Sequence, residues 1–527
     1  MISKNSRPVY PARNGIRISK DASLTADICS RYDDANAGLA KRACLEKKHR
    51  IIKGAFFLLA GKLGELVLSA LQILLIPRIL GPSHMGFYSY WLSAYFIIGR
   101  ILGLGGQPMA MKYIPELRII SPASISTLVL KASSIKIPVF GMILGAGLLL
   151  WRQDYLLFMI TASAALLFSF NLLGESVLYS FNRMGLYAAV PILRVASRIG
   201  LVIILFHFFA ARGIAAAILG GPLLAFLLTV FLVFPLLSQP RTPLEKSFRH
   251  YFSFGFWIYL SVALQGVILW SLPIFVKFFG QKMAAVGYFG VGVQISFSAT
   301  LLIFFINESI LPSLVEFRIQ DQSKFRDSLR FAWKYTNVFL FPLVIGGFVL
   351  ARPLIQFIIG REYLAGTLII KLFFPSIIFL SWIRFHTQIL FVFEKKKEIF
   401  YTHLINLAVF LGGCLFFIKT DHVHLAPLSL CLGALISYFF MLCHSLKLEK
   451  VTRYLPYIGK PFAAAGLMGL VVYFFHVQSF MKLVWVILVG ALTYGVLLFA
   501  FKGLGKYDIK VFLEFVLRKK RESKTSI

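Results

Sequence analysis

From residue 54 onward the chain alternates long apolar runs with short polar connections. The runs cover residues 54–79, 84–106, 128–151, 155–181, 184–209, 213–237, 251–279, 284–311, 330–358, 364–392, 400–418, 424–445, 460–477 and 480–501. A helix rises 1.5 Å per residue, so about 20 residues cross the ~30 Å hydrocarbon core of a bilayer. The pattern predicts an all-α polytopic membrane protein with about 14 transmembrane helices. Several connections are so short that neighbouring helices must run antiparallel.

The first hairpin sets the theme. Ala60 to Leu117 reads as two helices around a tight Gly81-Pro82-Ser83-His84 turn, the second ending in a glycine-rich break before a polar segment from Lys112 to Arg118. The stretch from Pro273 to Phe317 does the same again, with a turn at Gly280-Gln281-Lys282 and a helix that ends near Pro312 and Glu316. Gly81 with Gly86-Phe87-Tyr88 aligns with Gly280 and Gly287-Tyr288-Phe289 at a near-constant offset, interrupted by a short gap. Internal repeats of this kind are a common way to build transporters.

Composition agrees with the pattern. The chain is 58% hydrophobic with a mean hydropathy of +0.78, more apolar surface than a soluble domain of this length needs. The formal net charge of +33 would suggest nucleic acid in a soluble protein, but here the basic residues sort by loop. One set of loops carries Lys112 and Arg118; Arg183; Arg241, Lys246 and Arg249; Arg318, Lys324, Arg326 and Arg330; Lys395, Lys396 and Lys397; and Lys447, Lys450, Arg453 and Lys460. The alternate loops carry far fewer. The positive-inside rule therefore places both termini in the cytoplasm, which an even number of spans requires.

Residues 1–53 are polar and basic without an apolar period, and are expected to form a disordered cytoplasmic tail. Asp21, Asp27, Asp33 and Asp34 argue against a mitochondrial presequence. A second basic tail covers 502–527.

The five cysteines show no metal or disulfide spacing, and no metal site or cofactor is expected. The sequence offers no phosphate-binding glycine loop, nucleophile elbow or His-Glu-x-x-His. A transporter, not an enzyme, is the expectation. Uphill transport would draw on an ion gradient or on the chemistry of the substrate.

Charges inside the spans carry the most information, since an ionisable group at the bilayer centre costs at least ~2.5 to 3.5 kcal/mol. They are Lys62 and Glu65, Arg100, Lys131 and Lys136, Glu175, Arg194 and Arg198, Glu308, Lys334, Lys371, and Arg384 with His386. Cations outnumber carboxylates, so a pathway lined this way favours anions. Lys131, Lys136 and Lys334 lie within reach of the cytoplasmic face and are expected to snorkel there. Lys62 and Glu65, one turn apart, can neutralise each other.

Arg194 and Arg198 share one helix face at i, i+4 near the middle of a span. They would repel unless an anion, or a carboxylate such as Glu175, sits between them. Arginine suits an anion site because it keeps its charge when desolvated and its planar fork matches two phosphate oxygens. The candidate cationic lining is Arg194, Arg198, Arg384, Arg100 and Lys371. Ion-coupling candidates are Glu65, Glu175 and Glu308, because desolvation and a neighbouring cation move a carboxylate in opposite directions.

The first hairpin resembles the opening of the polysaccharide biosynthesis flippases, the O-antigen, capsule and exopolysaccharide repeat-unit translocases of the multidrug/oligosaccharidyl-lipid/polysaccharide exporter superfamily. The residues that carry the resemblance are Leu80-Gly81-Pro82, Gly86-Phe87-Tyr88 and Leu102-Gly103-Leu104-Gly105. The resemblance is best over the first five or six spans and recognisable from Tyr251 to Phe317. It implies two pseudo-symmetric six-helix bundles, here 54–250 and 251–445, plus a final pair within 446–501. It also implies a central cavity that opens alternately to each side and a polyprenyl-diphosphate-linked oligosaccharide as cargo in the inner membrane. A polysaccharide polymerase and glycosyltransferases are the implied partners; nucleic acid is not. The long basic tail departs from the usual family start close to the first span.

Two other readings stand beside this one. A multidrug exporter of the same superfamily moves organic cations and should carry acidic residues in its cavity. A membrane-embedded glycosyltransferase or polymerase should carry large outer loops, whereas those read here are short.

Overall fold

The structure, a computed structural model, describes residues 37–503 apart from 153, 239–241 and 450–455. Side chains of 37–59 and of a few later residues, Glu308 among them, lie outside the description. The chain divides into Met1–Lys53 and Gly54–Ile527. Of the first unit, residues 1–36 lie outside the described residues and 37–53 are helical. Most of the second basic tail, from residue 504, also lies outside them.

Among the described residues the second unit is helical throughout, with no strand. Helix α1 (Ala60–Ile101) is followed by α2 (Gly106–Ile120), α3 (Ser124–Ser134), α4 (Lys136–Leu150), α5 (Tyr155–Ser180) and α6 (Met184–Val233). The second half has α7 (Phe248–Trp270), α8 (Leu272–Phe278), α9 (Met283–Gln320), α10 (Gln322–Val349), α11 (Thr367–Val392), α12 (Lys396–Lys419) and α13 (Pro427–Leu448). The chain closes with α14 (Pro456–Tyr473) and α15 (Phe480–Ala500).

The breaks have local causes. Pro82 has no N–H, and its ring disfavours a helical conformation at the preceding residue, so Gly81 turns out at φ 68, ψ 169 and splits α1 into two arms. Ala210, at φ 47 and ψ −126, splits α6 in the same way. Asn182, Gly280, Glu394, Asp421 and Lys502 each take a left-handed conformation just past a helix. At each, the next N–H bonds back to a carbonyl of the last turn, as Arg183 does to Leu178 and Lys395 to Leu390. Asp321 begins α10 by accepting bonds from the N–H groups of Ser323 and Lys324.

Among the described residues, ten helical segments are long and apolar enough to span a bilayer, and α7 with α8, bent by 53°, makes an eleventh. Fourteen is reached only by counting the arms of α1 and α6 separately and adding the short apolar helix at Tyr457–Tyr473. The polar segment after Gly105 is a helix in its own right, α2, despite Pro115 inside it.

The main core joins both halves of the chain. Trp91, Leu92 and Tyr95 of α1 and Phe168 of α5 share it with Phe289 of α9 and Phe373 of α11. The two repeat elements meet in space: a Cβ on Gly86 would lie 1.8 Å from the Met283 carbonyl oxygen, and one on Gly287 would lie 2.2 Å from that of Pro82. Only glycine permits so close an approach of two helices. At the far end of the same arm, Gly105 packs on Gly255 of α7, and the Tyr259 hydroxyl donates to the Ile101 carbonyl at 2.6 Å.

Candidate functional site

The arms of α6 fold back on each other because Gly213 and Gly221 lack side chains. A Cβ on Gly221 would lie 2.9 Å from that of Arg198 and 3.1 Å from the Arg194 carbonyl oxygen. The turn that carries both arginines is thereby pressed inward, and both are buried. Arg194 Nη1 donates to Glu175 Oε1 of α5 at 2.5 Å, and its guanidinium lies 4.9 Å over the Phe168 ring.

Arg198 takes a different partner. Its Nη2 donates to Gln72 Oε1 at 2.8 Å, and Gln72 Nε2 donates to Gln294 Oε1 at 3.0 Å. That chain of bonds links α6 and α1 to α9 in the other half of the molecule. Arg198 also rests over the Phe96 ring at 5.6 Å. Two donors in this network stay buried without a partner, Arg198 Nε and Gln294 Nε2. The hydroxyls of Tyr88 and Tyr95 are buried beside them, that of Tyr88 within reach of the Arg198 guanidinium and that of Tyr95 unbonded. Buried polar groups are normally satisfied, so a group of spare donors marks a place for an acceptor.

Electrostatically the cluster is larger than its hydrogen bonds. Lys62 Nζ and Glu65 Oε2 pair at 3.0 Å, and Glu175 feels that pair as well as Arg194. Arg100, whose side chain packs over Gly266 of α7, lies in the field of Arg194, Glu175 and Glu65. Four cations thus face two carboxylates, an excess of two positive charges.

The other sequence candidates lie elsewhere. Arg384 stacks on Phe304 at 4.1 Å. His386 is fully buried among Trp333, Phe385 and Tyr438. Two residues apart on a helix, the pair points in nearly opposite directions and forms no joint site. Lys371 sits over Phe348 at 4.2 Å. Glu308 falls on a side chain outside the described residues.

Lys136 corrects the snorkelling expectation: it is 1% exposed, and its Nζ donates to the Ser169 carbonyl at 2.7 Å. Lys136 lies on the face of the helix turned towards α5, whereas Lys131 is exposed. Gln72 and Gln294 were missed by a search for charges. An amide inside an apolar run was the available signal.

Comparison with known proteins places this geometry. Residues 149–367, which hold Glu175, Arg194 and Arg198, match a family model described as "Polysaccharide biosynthesis protein". An "Uncharacterized membrane protein" of Haemophilus influenzae is 27% identical over 153 residues, 29% of this chain and 37% of that protein. The match thus spans well under half of the relative's length.

Among solved structures, the fold is similar to the lipid II flippase MurJ in an inward closed conformation, with a TM-score of 0.67 and 17% identity over 85% of this chain and 98% of that one. It is also similar to the inward-facing conformation of a MATE family multidrug resistance transporter of the MOP superfamily, with a TM-score of 0.54 and 12% identity over 73% and 99%. The architecture is that of a multi-pass membrane protein with the fold of these two structures. The resemblance to polysaccharide biosynthesis flippases, read from the first hairpin, is borne out.

Proposed function

We propose that the protein is a flippase that carries a polyprenyl-diphosphate-linked oligosaccharide from the cytoplasmic to the outer leaflet for cell-surface polysaccharide synthesis. The observation that carries this reading is the cluster of four cations and two carboxylates around the buried Arg194 and Arg198, an excess of two positive charges of which Lys62, Glu65 and Arg100 are part-buried. A diphosphate is complementary to such a cluster in charge and in acceptor geometry. The same charges argue against organic cations as cargo.

The physical need is plain. Each unpaired sugar hydroxyl in hydrocarbon costs several kcal/mol, so an oligosaccharide cannot cross unaided. A polar cavity between bundles 54–250 and 251–445 lowers that barrier while the polyprenyl tail stays in lipid. Alternating access would part the Gly86–Gly287 contact at one end and the Gly105–Gly255 contact at the other. The fold is shared with a lipid II flippase, which supports a lipid-linked cargo. The basic loops support cytoplasmic termini in the plasma membrane. In this reading the Lys62–Glu65 pair is the candidate for ion coupling, since a carboxylate that gains a proton releases its lysine.

The test is the fate of lipid-linked oligosaccharide in cells lacking the protein. The intermediate should accumulate on the inner leaflet and polymer should leave the surface. The intact chain should restore export, and Arg198→Gln, made at normal protein level, should not. Normal export by Arg198→Gln together with Arg100→Gln would remove the cationic site. Unchanged polymer in the null strain, with new sensitivity to cationic dyes, would reassign the cargo.

A further inference from the structure

A second charged site lies outside the arginine cluster, at the end of the helices that carries the Gly81 and Gly360 turns. A cavity of about 650 Å³ opens there between the first arm of α1, the irregular segment before α11 and the start of α15. That size lies within the range of small-molecule sites, roughly 300–1,000 Å³. Its charged lining is Arg78, Arg361 and Glu362, with Gln356 beside them and the rings of Phe357 and Phe480 as apolar wall.

The walls are built, not incidental. The Tyr363 hydroxyl donates to the Pro77 carbonyl at 3.0 Å, tying the segment before α11 to α1. Residues Ile355–Ile359 form a single wide helical turn that ends on Gly360 at φ 147, the kind of local distortion often found at functional sites. A Cβ on Gly81 would come within 3.1 Å of a Glu362 carboxylate oxygen, so the break in α1 leaves room for that carboxylate.

Two guanidiniums and a carboxylate thus share one cavity, yet among the described residues none of the three forms an ion pair. All three are exposed and water can hold each of them, so it is their placement around one cavity that offers both signs to a ligand that is itself of both signs.

We propose that this cavity binds the headgroup of a membrane phospholipid whose phosphodiester carries a primary ammonium, with Arg78 and Arg361 on the phosphate and Glu362 on the ammonium. Arginine forks match phosphate oxygens, and the helix-end position puts the site at headgroup level, with the apolar ring of Phe480 on its wall. The proposal rests on the membrane placement of these helices and is independent of what the flippase carries, so failure of one leaves the other standing.

The full chain, purified and stripped of lipid, is titrated by native mass spectrometry with phosphatidylethanolamine and phosphatidylglycerol of matched acyl chains. Calorimetry with free phosphoethanolamine and with inorganic phosphate covers the soluble sources. Phosphatidylethanolamine should bind at least about fivefold more tightly than phosphatidylglycerol. Arg78→Gln with Arg361→Gln should weaken both lipids by about tenfold or more, the scale of one charge-assisted bond.

Glu362→Gln should erase the preference without weakening phosphatidylglycerol. Arg78→Lys with Arg361→Lys, which keeps both charges, should fall between wild type and the glutamine pair, and it stands in if that pair fails to fold. Equal binding by all variants would overturn the site. Inorganic phosphate binding as tightly as lipid would overturn the lipid as its source. A preference that survives Glu362→Gln would overturn the role given to that carboxylate.

Discussion

The two halves of the molecule bury polar groups in different ways. The first half buries four charged side chains among its neutral polar groups, and each of the four has a partner: Arg194 with Glu175, Arg198 with Gln72, and Lys136 with the Ser169 carbonyl. In the second half the buried polar groups are mostly neutral and many are unbonded. His386, Gln388, His403, Asn406 and Ser437 are all buried and keep at least one polar atom without a partner. The cations there, Arg384 and Lys371, rest on aromatic rings at partial exposure.

A charge can be held in a low-dielectric interior only where a partner offsets its desolvation, while a neutral dipole costs far less to bury. The first half therefore has its charges fixed by a network that must stay intact. The second half can exchange polar for apolar groups more freely.

The strongest way to break that contrast is Glu175→Ala. Removing one member of a buried pair leaves the other uncompensated, and about 3–5 kcal/mol of stability should go. Glu175→Leu together with Arg194→Met should recover most of it, since an apolar pair of similar volume is often neutral or better. Thermal unfolding of purified protein in detergent, followed by circular dichroism, measures both. A double variant as unstable as the single would show that the pair's network, not its charge, is what matters.

The next effect is steric and lies between the halves. Gly86→Val and Gly287→Val each place carbon where a carbonyl oxygen of the facing helix now sits, and should cost about 1–3 kcal/mol. Gly200→Val, which meets nothing within 4 Å, is the matched control. Thermal unfolding in detergent compares the three, and a Gly287→Val as stable as Gly200→Val would mean that the contact does not depend on the glycines.

How much of this was legible in the sequence depends on the range of the interaction. The apolar runs, the break at Gly81 and the arginine pair on one face are local features and legible as such, although the runs join into ten or eleven spanning segments among the described residues. Glu175, named as a carboxylate that could meet the arginines, does meet Arg194. Gln72 and Gln294 come together from distant parts of the chain, so nothing in the sequence pattern pairs them. The cavity between Pro77, Gly360 and Phe480 is of the same kind: its three segments become neighbours only after the bundle closes.

Lys136 departs from expectation for a related reason. Distance along the chain from a helix end sets how far a side chain must reach, but the face it occupies, here the one against Ser169 of α5, sets its direction. Arg384 and His386 were grouped by sequence proximity, although two steps along a helix separate faces.

The neutral half gives the third test. His386→Phe keeps a planar ring among Trp333, Phe385 and Tyr438 and removes two unbonded nitrogens. Its stability should stay within about 1 kcal/mol of wild type, or rise, because replacing an unsatisfied polar group by an apolar one of similar shape is near neutral or favourable. A loss as large as that of Glu175→Ala would mean that the second half also depends on a polar network, and the contrast would fall.

The smallest effect lies outside the buried helices altogether. Asp321 caps α10 and accepts from the Ser323 hydroxyl and from the N–H groups of Ser323 and Lys324, which together hold its carboxyl below the ordinary value of 3.8. A carboxyl held low in the folded state contributes stability above its unfolded value, and that contribution is lost as pH falls through the lowered one. The cap should therefore be at full strength at neutral pH and fade only in acid below about pH 4.

Asp321→Ala should lower the unfolding temperature slightly at pH 7, with the difference from wild type closing as the buffer is taken towards pH 3. A difference that stays the same from pH 7 to pH 3 would mean that the ionised Asp321 carboxylate is not what caps α10.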